Sequence, residues 1–186
     1  MRSSYLCAVG ASHIETERLI LRQWSDADIM PWAAMNADPL VREYFTEILN
    51  YEQSARSLDS FRSELDERGW GWWAVEVAET GQFAGFAGLD VVDDGLPFKG
   101  VEVGWRLARE AWGHGYATEA GHACLDYGFD VLRLDEILAV TAVGNVRSRA
   151  VMHRLGMTYD PADDFTDPDV PGGHAVLYRS RSARMR

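Results

Sequence analysis

Only two of the 186 residues are cysteine, Cys7 and Cys124, too few for a disulfide framework or a thiolate metal cluster. Lysine is scarcer still: of the 18 basic residues, 17 are arginine and Lys99 alone is lysine. Acidic residues number 29, so the net charge is −11, which argues against a phosphate backbone, and hence nucleic acid, as the main partner. An acidic surface suits cationic partners such as amines or basic peptides. Long apolar runs are missing too. Nothing approaches the roughly 20 residues that span a bilayer, so no membrane partner is expected. The apolar patch from Tyr5 to Ala11 is at the lower limit for a signal peptide, and Glu15 and Glu17 follow it closely. A reduced, cytoplasmic setting is therefore expected. What is abundant is aromatic: seven each of Trp, Tyr and Phe, in a chain 47% hydrophobic and 25% charged, which can bury a core.

At this length one domain is expected. No repeat, low-complexity tract or linker interrupts residues 14–179, which read as one folding unit between a flexible tail, 1–13, and a basic C-terminal tail, 180–186. Arg18–Gln23 reads as a short strand and Ser25–Asn36 as a helix, with Ser25 as N-cap and Asp26 and Asp28 in its first turn. Ala55, Leu58, Phe61 and Leu65 keep a helical period over Tyr51–Arg68, and Gly69 stops it. The period then becomes extended over Trp72–Val77, Phe83–Val91 and Val101–Leu107, with turn residues between, which predicts an antiparallel meander. A helix over Ala117–Phe129, a strand over Glu136–Thr141, a helix over Asn145–Leu155 and strands over Met157–Tyr159 and Ala175–Arg179 complete an α+β order with a βαβ crossover in its second half.

The most informative segment is Trp112-Gly-His-Gly-Tyr-Ala-Thr-Glu-Ala120, where a strand enters a glycine turn that opens directly into a helix. Unpaired amides at a helix start, together with its dipole, form an anion site, and glycine lets phosphate approach the backbone. A plain tight turn also needs glycine. A nucleoside-triphosphate loop would need a lysine here, and a dinucleotide fold would need Gly or Ala where Thr118 stands, so neither fits well.

Four stretches in order and spacing resemble the GNAT superfamily of acyl-CoA-dependent N-acetyltransferases, and within it the RimJ/RimL type that modifies ribosomal-protein N-termini. They are Glu15-Thr-Glu-Arg-Leu-Ile-Leu-Arg22, Glu102-Val-Gly-Trp105, Trp112–Ala120, and Asn145-Val-Arg-Ser-Arg-Ala-Val-Met152 with Leu155-Gly-Met157. The resemblance implies a twisted mixed sheet, helices on both faces, splayed between its fourth and fifth strands. Acetyl-CoA would lie in the splay, its pantetheine arm on the backbone of Trp105, Arg106 and Leu107. Its pyrophosphate would sit on the amides of Trp112, Gly113, His114, Gly115, Tyr116, Ala117 and Thr118. Glu110 departs from the family pattern, which has Gln or Arg there; neighbouring Arg109 could supply the charge.

Asn145 is placed to cap its helix, and the resemblance adds a contact to the pantetheine arm. Where many relatives carry a tyrosine acid, Met152 stands, so Ser148, one turn after Asn145, is the candidate donor to the CoA thiolate. An idle helix-surface serine is the alternative. For a base, Glu102 alternates with Val101 and Val103 and could take a proton from the acceptor amine; a solvated or paired glutamate is the alternative. The histidines 114, 122, 153 and 174 lack ligand spacing, and Asp93-Asp94-Gly95 reads as a turn, so no metal is expected. Arg147, Arg149 and Arg154 read as a solvated face from which one could reach the 3′-phosphate of CoA. Trp32, Trp70, Trp72 and Trp73 read as core, with one or two lining an acceptor pocket.

The expected activity is acetyl transfer from acetyl-CoA to a primary amine, small or at a protein N-terminus, by direct attack in a ternary complex. A non-catalytic acyl-CoA sensor of the same fold is the alternative. The first two helices and the loop from Asp163 to Gly173 would choose the acceptor, and the sequence leaves room for a homodimer.

Overall fold

The computed structural model describes residues 13–183. The expected N-terminal tail therefore lies outside the described residues except for His13, as does Cys7. The elements, in chain order, are β1 (Ile14–Glu15), β2 (Leu19–Arg22), α1 (Ile29–Asn36), α2 (Tyr51–Arg68), β3 (Trp72–Val77), β4 (Gln82–Val91) and β5 (Val101–Leu107). There follow α3 (Tyr116–Asp130), β6 (Glu136–Ala142), α4 (Val146–Arg154), β7 (Thr158–Tyr159), β8 (Phe165–Thr166) and β9 (His174–Arg181). The two-residue strands β1 and β8 carry too little pattern to be seen in the sequence. The last strand runs to Arg181, and Ser182 behind it is buried, so the expected tail starts too early at residue 180.

The sheet runs β1-β2-β3-β4-β5-β6-β9-β7, with β8 also on β9. Its pairs are antiparallel except β5 with β6, which touch in register only at Glu102 and Leu138, near their N-terminal ends. Beyond that bridge the two strands diverge. These are the fourth and fifth strands expected from sequence, and the splay falls between them.

Alternation along β4 sorts its two faces. Phe86 meets Trp32 of α1 and Phe61 of α2 at ring distances of 5.6 and 5.8 Å. Leu89 meets α3 on the other face, where a Cβ on Gly128 would come within 3.2 Å of it. α4 packs beside α3 at Gly121, where a Cβ would come within 2.8 Å of Leu155. Trp32 and Trp73 are core, at 1% exposure each.

α1 begins later than expected, because Asp26–Asp28 form a 3₁₀ turn. The Asp28 carboxylate accepts from the Ser25 amide and hydroxyl and forms a two-pronged pair with Arg22 at 2.8 and 2.9 Å. Burial alone would raise its pKa, but Arg22 and Ser25 together hold it below the usual carboxylate range. Asp28→Asn should cost about 3 kcal/mol at neutral pH, since it leaves Arg22 partly buried without its main partner. A depressed pKa stabilises fully above the unfolded value near 4 and is lost as pH falls through the native one. Urea unfolding of the two proteins should therefore converge toward acid. Parallel stabilities down to pH 3 would assign Asp28 no electrostatic role.

Candidate active site

The splay opens into a cleft of about 1090 Å³. Its walls come from the connection between α1 and α2 (Leu40, Val41, Tyr44, Phe45), the outer half of β5, the turn into α3, and α4. Every site residue expected from sequence lines it except His114, whose ring instead stacks on Tyr116 at 5.3 Å.

The turn owes its shape to Gly113 and Gly115, at φ +80° and +82°. Side chains rarely tolerate that region, which glycine enters freely. Among the described residues, the amides of Gly113, His114, Gly115, Tyr116 and Ala117 have no acceptor; the first that do, Thr118 and Glu119, donate to the Gly115 carbonyl at 3.1 Å. Five free N–H groups thus meet the positive end of α3, an anion seat. Beside it stands Arg18, which sequence reasoning left without a role. Its guanidinium pairs with Glu119 at 2.6 Å, donates to the His114 carbonyl at 2.9 Å and lies over the Tyr116 ring at 5.0 Å. Its signal was present inside the Glu15–Arg22 motif. Arg109, expected to bring charge to this turn, instead pairs with Asp38 at 3.6 Å. Glu110 is exposed and off the cleft wall, so its charge does not oppose an anion there.

Along β5 the ladder is phased by the Ala108 amide, which donates to the Ala84 carbonyl at 2.9 Å. Antiparallel alternation then turns the main chain of Arg106 toward β4 and that of Trp105 toward the splay. The Leu107 carbonyl is occupied by Trp112 Nε1 at 2.9 Å. Of the three residues expected to pair with an extended ligand, Trp105 alone offers both main-chain groups.

Asn145 caps α4: its Oδ1 accepts from the Ser148 amide at 3.1 Å, and its Nδ2 donates to Thr141 at 3.0 Å. One amide hydrogen is left for a ligand. The Ser148 hydroxyl lines the cleft and has no protein partner among the described residues. Met152 is 1% exposed and cannot donate a proton. Of the α4 arginines, Arg147 and Arg154 line the cleft, whereas Arg149 turns away to Tyr178 and the Val143 carbonyl.

Glu102 sits where β5 leaves β6. Burial, and then the charges of Asp90, Asp167 and Asp93, push its pKa up to about 7. Asp90 is already committed to Arg68 and Trp72, so Glu102 gains a negative neighbour and no cation. The expected specificity loop contributes only this field from Asp167, and none of residues 160–173 lines the cleft. Four residues further on, Arg106 shares the α1–α2 face with Glu102. Burial, then Arg42, lowers its pKa to about 9, so it stays cationic at neutral pH. Trp72 is the one of the four candidate tryptophans on the wall. Cys124 is fully buried and burial pushes its thiol far up, which among the described residues leaves no cysteine nucleophile here.

Residues 18–158 match the family model described as the acetyltransferase (GNAT) domain. The chain is 33% identical over 148 residues to the uncharacterised protein YkkB of Bacillus subtilis, covering 77% of this chain and 84% of that one. It is 29% identical over 145 residues to the uncharacterised N-acetyltransferase YoaA of the same organism, covering 77% and 81%. The crystal structure of an acetyltransferase from Agrobacterium tumefaciens superposes with a TM-score of 0.77 at 26% identity, over 98% of this chain and 100% of that one.

Proposed function

Because this chain belongs to the GNAT acetyltransferase family and is an acetyl-CoA-dependent N-acetyltransferase, we propose that it acetylates a primary amine by direct attack in a ternary complex. The acceptor is a small amine or a protein N-terminal α-amine, entering from the α1–α2 side. One observation carries this reading: the free-amide turn, the unpaired edge of β5 and Glu102 all open into the same cleft.

The amides of residues 113–117 seat the pyrophosphate, with Arg18 beside them, and Arg147 or Arg154 meets the 3′-phosphate. The main chain of Trp105 and the free amide hydrogen of Asn145 hold the pantetheine arm. The Trp105 N–H is aimed where it can polarise the thioester carbonyl. Glu102 accepts the proton of the incoming ammonium, directly or through water. A carboxylate with a pKa near 7 is half ionised at neutral pH yet basic enough to do so. With Cys124 inaccessible, no acyl-enzyme is needed. A screen of acetyl-CoA with peptides and small amines, read by released thiol, tests this; acetyl-CoA binding without turnover on any amine would overturn it.

Ser148 is the proton donor to the departing thiolate in this scheme. Ser148→Ala should lower kcat roughly tenfold or more while acetyl-CoA affinity changes little, because only one hydroxyl contact is lost in the ground state. Unchanged single-turnover rates would leave water as the acid.

A further inference from the structure

Several partly buried arginines among the described residues are matched by two carboxylates each. Arg22 has Asp28 and Glu76, Arg68 has Glu64 and Asp90, and Arg179 has Glu136 and Asp163. Arg106 is not matched in this way. Among the described residues no carboxylate lies within ion-pair distance of it, although the chain has 29 acids to offer. One Nη1 hydrogen goes to the neutral Oδ1 of Asn36 at 3.0 Å, and its Nε is buried with no acceptor. Asn36 is itself fully buried and donates to Ser54, which fixes its oxygen toward the guanidinium. Three rings surround the cation, Phe45 at 4.3 Å, Phe86 at 5.2 Å and Trp32 at 5.7 Å. Arg42 also lies over the Phe45 ring, 4.2 Å from its centroid, and it too has no ion pair among the described residues.

Rings and one amide oxygen do not offset the removal of a guanidinium from water, and a second cation nearby worsens the balance. An anion from outside the chain would. We propose that Arg106 seats a carboxylate carried by the acceptor, so that the amine acetylated here is a small amino acid-like molecule rather than a simple amine or polyamine. The proposal rests on the acyl-transfer reading above. The floor of the acceptor side is formed by Glu102, Gly104 and Arg106, alternate residues of one strand face, all lining the cleft. Gly104 lets the Trp72 ring lie against the strand between the two charged ends, since a Cβ there would come within 2.9 Å of that ring. The Glu102 end is negative, reinforced by Asp90, Asp93 and Asp167, and the Arg106 end is positive. A zwitterion with its amine toward Glu102 and its carboxylate toward Arg106 matches both ends, whereas a polyamine would set a cation against Arg106.

The test pairs β-alanine, 4-aminobutyrate and 6-aminohexanoate with their carboxamides, alongside an amidated acidic tripeptide. The wild-type enzyme should favour at least one acid over its amide tenfold or more in kcat/KM, through KM. In Arg106→Gln that ratio should fall toward one, and Arg106→Lys should restore part of it; a ratio taken within one protein cancels any general loss of activity. Equal use of acid and amide by the wild type, a ratio unchanged by Arg106→Gln, or a clear preference for the tripeptide over every small acid would overturn the proposal. If no amine turns over, the acyl-transfer reading fails by itself. Calorimetric titration of 6-aminohexanoate into the CoA-loaded protein then decides the seat: Arg106-dependent binding supports it, and absent or Arg106-independent binding overturns it.

Discussion

Glu102→Gln is expected to lower kcat by roughly 10²–10⁴-fold with a strongly basic acceptor, the usual worth of a positioned base. The wild-type rate should rise with pH through about 7, as the carboxyl that burial and its acidic neighbours hold protonated becomes ionised. The variant should lose that rise. Acceptor amines titrate as well, so the two profiles must be compared with each other. A weakly basic acceptor should be hurt less, because it arrives neutral. Stability should move the opposite way. A carboxyl whose native pKa lies above its unfolded value destabilises progressively as pH climbs between the two, and fully above the native one. Glu102→Gln should therefore be more stable by about 1–3 kcal/mol above pH 7 and near wild type around pH 4. An enzyme with wild-type rate at every pH would place the base elsewhere.

Substitution in the glycine turn should have the next largest effect. Gly115→Val is expected to weaken acetyl-CoA binding by roughly 10²-fold, the value of about two charge-assisted hydrogen bonds. Valine at φ +82° is strained, and relieving the strain rotates the neighbouring amides away from their common focus. The fold should survive at a cost of about 1–3 kcal/mol, because among the described residues the only atom within 4 Å of a Cβ there is Nη2 of Arg18, at an ordinary contact distance of 3.5 Å. Gly113→Val, with nothing among the described residues within 4 Å of its Cβ, should behave alike. Calorimetry on variants shown to be folded decides the matter, and wild-type affinity in both would remove the phosphates from this turn.

The two tests fall on residues that differ in how readable they were. Gly113 and Gly115 declare themselves, because a strand meeting a helix through two glycines leaves amides free wherever it occurs. Glu102 declared only that it alternates with two valines. Its perturbed carboxyl comes from burial and from Asp90, Asp93 and Asp167, the last 65 positions further along the chain. Arg109 shows the converse: adjacent in sequence to the turn, it spends its charge on Asp38. Gly69 at the end of α2, at φ +74°, and Asn145 at the start of α4 were legible because caps are settled within one turn of chain.

The sequence by itself therefore determined what is local or additive: the order of the main elements, the glycine turn, the α4 cap, and enough motif in the right order to identify the family. Only the tertiary structure decided which side of β5 each group serves. It turned the main chain of Arg106 toward β4 and its guanidinium toward the α1–α2 connection, brought Arg18, just before β2, to the turn before α3, and kept residues 160–173 off the cleft wall. The reason is physical. Backbone dihedrals and helix caps depend on neighbours in the chain, whereas desolvation and Coulomb interaction depend on distance in space, which no spacing along the sequence records.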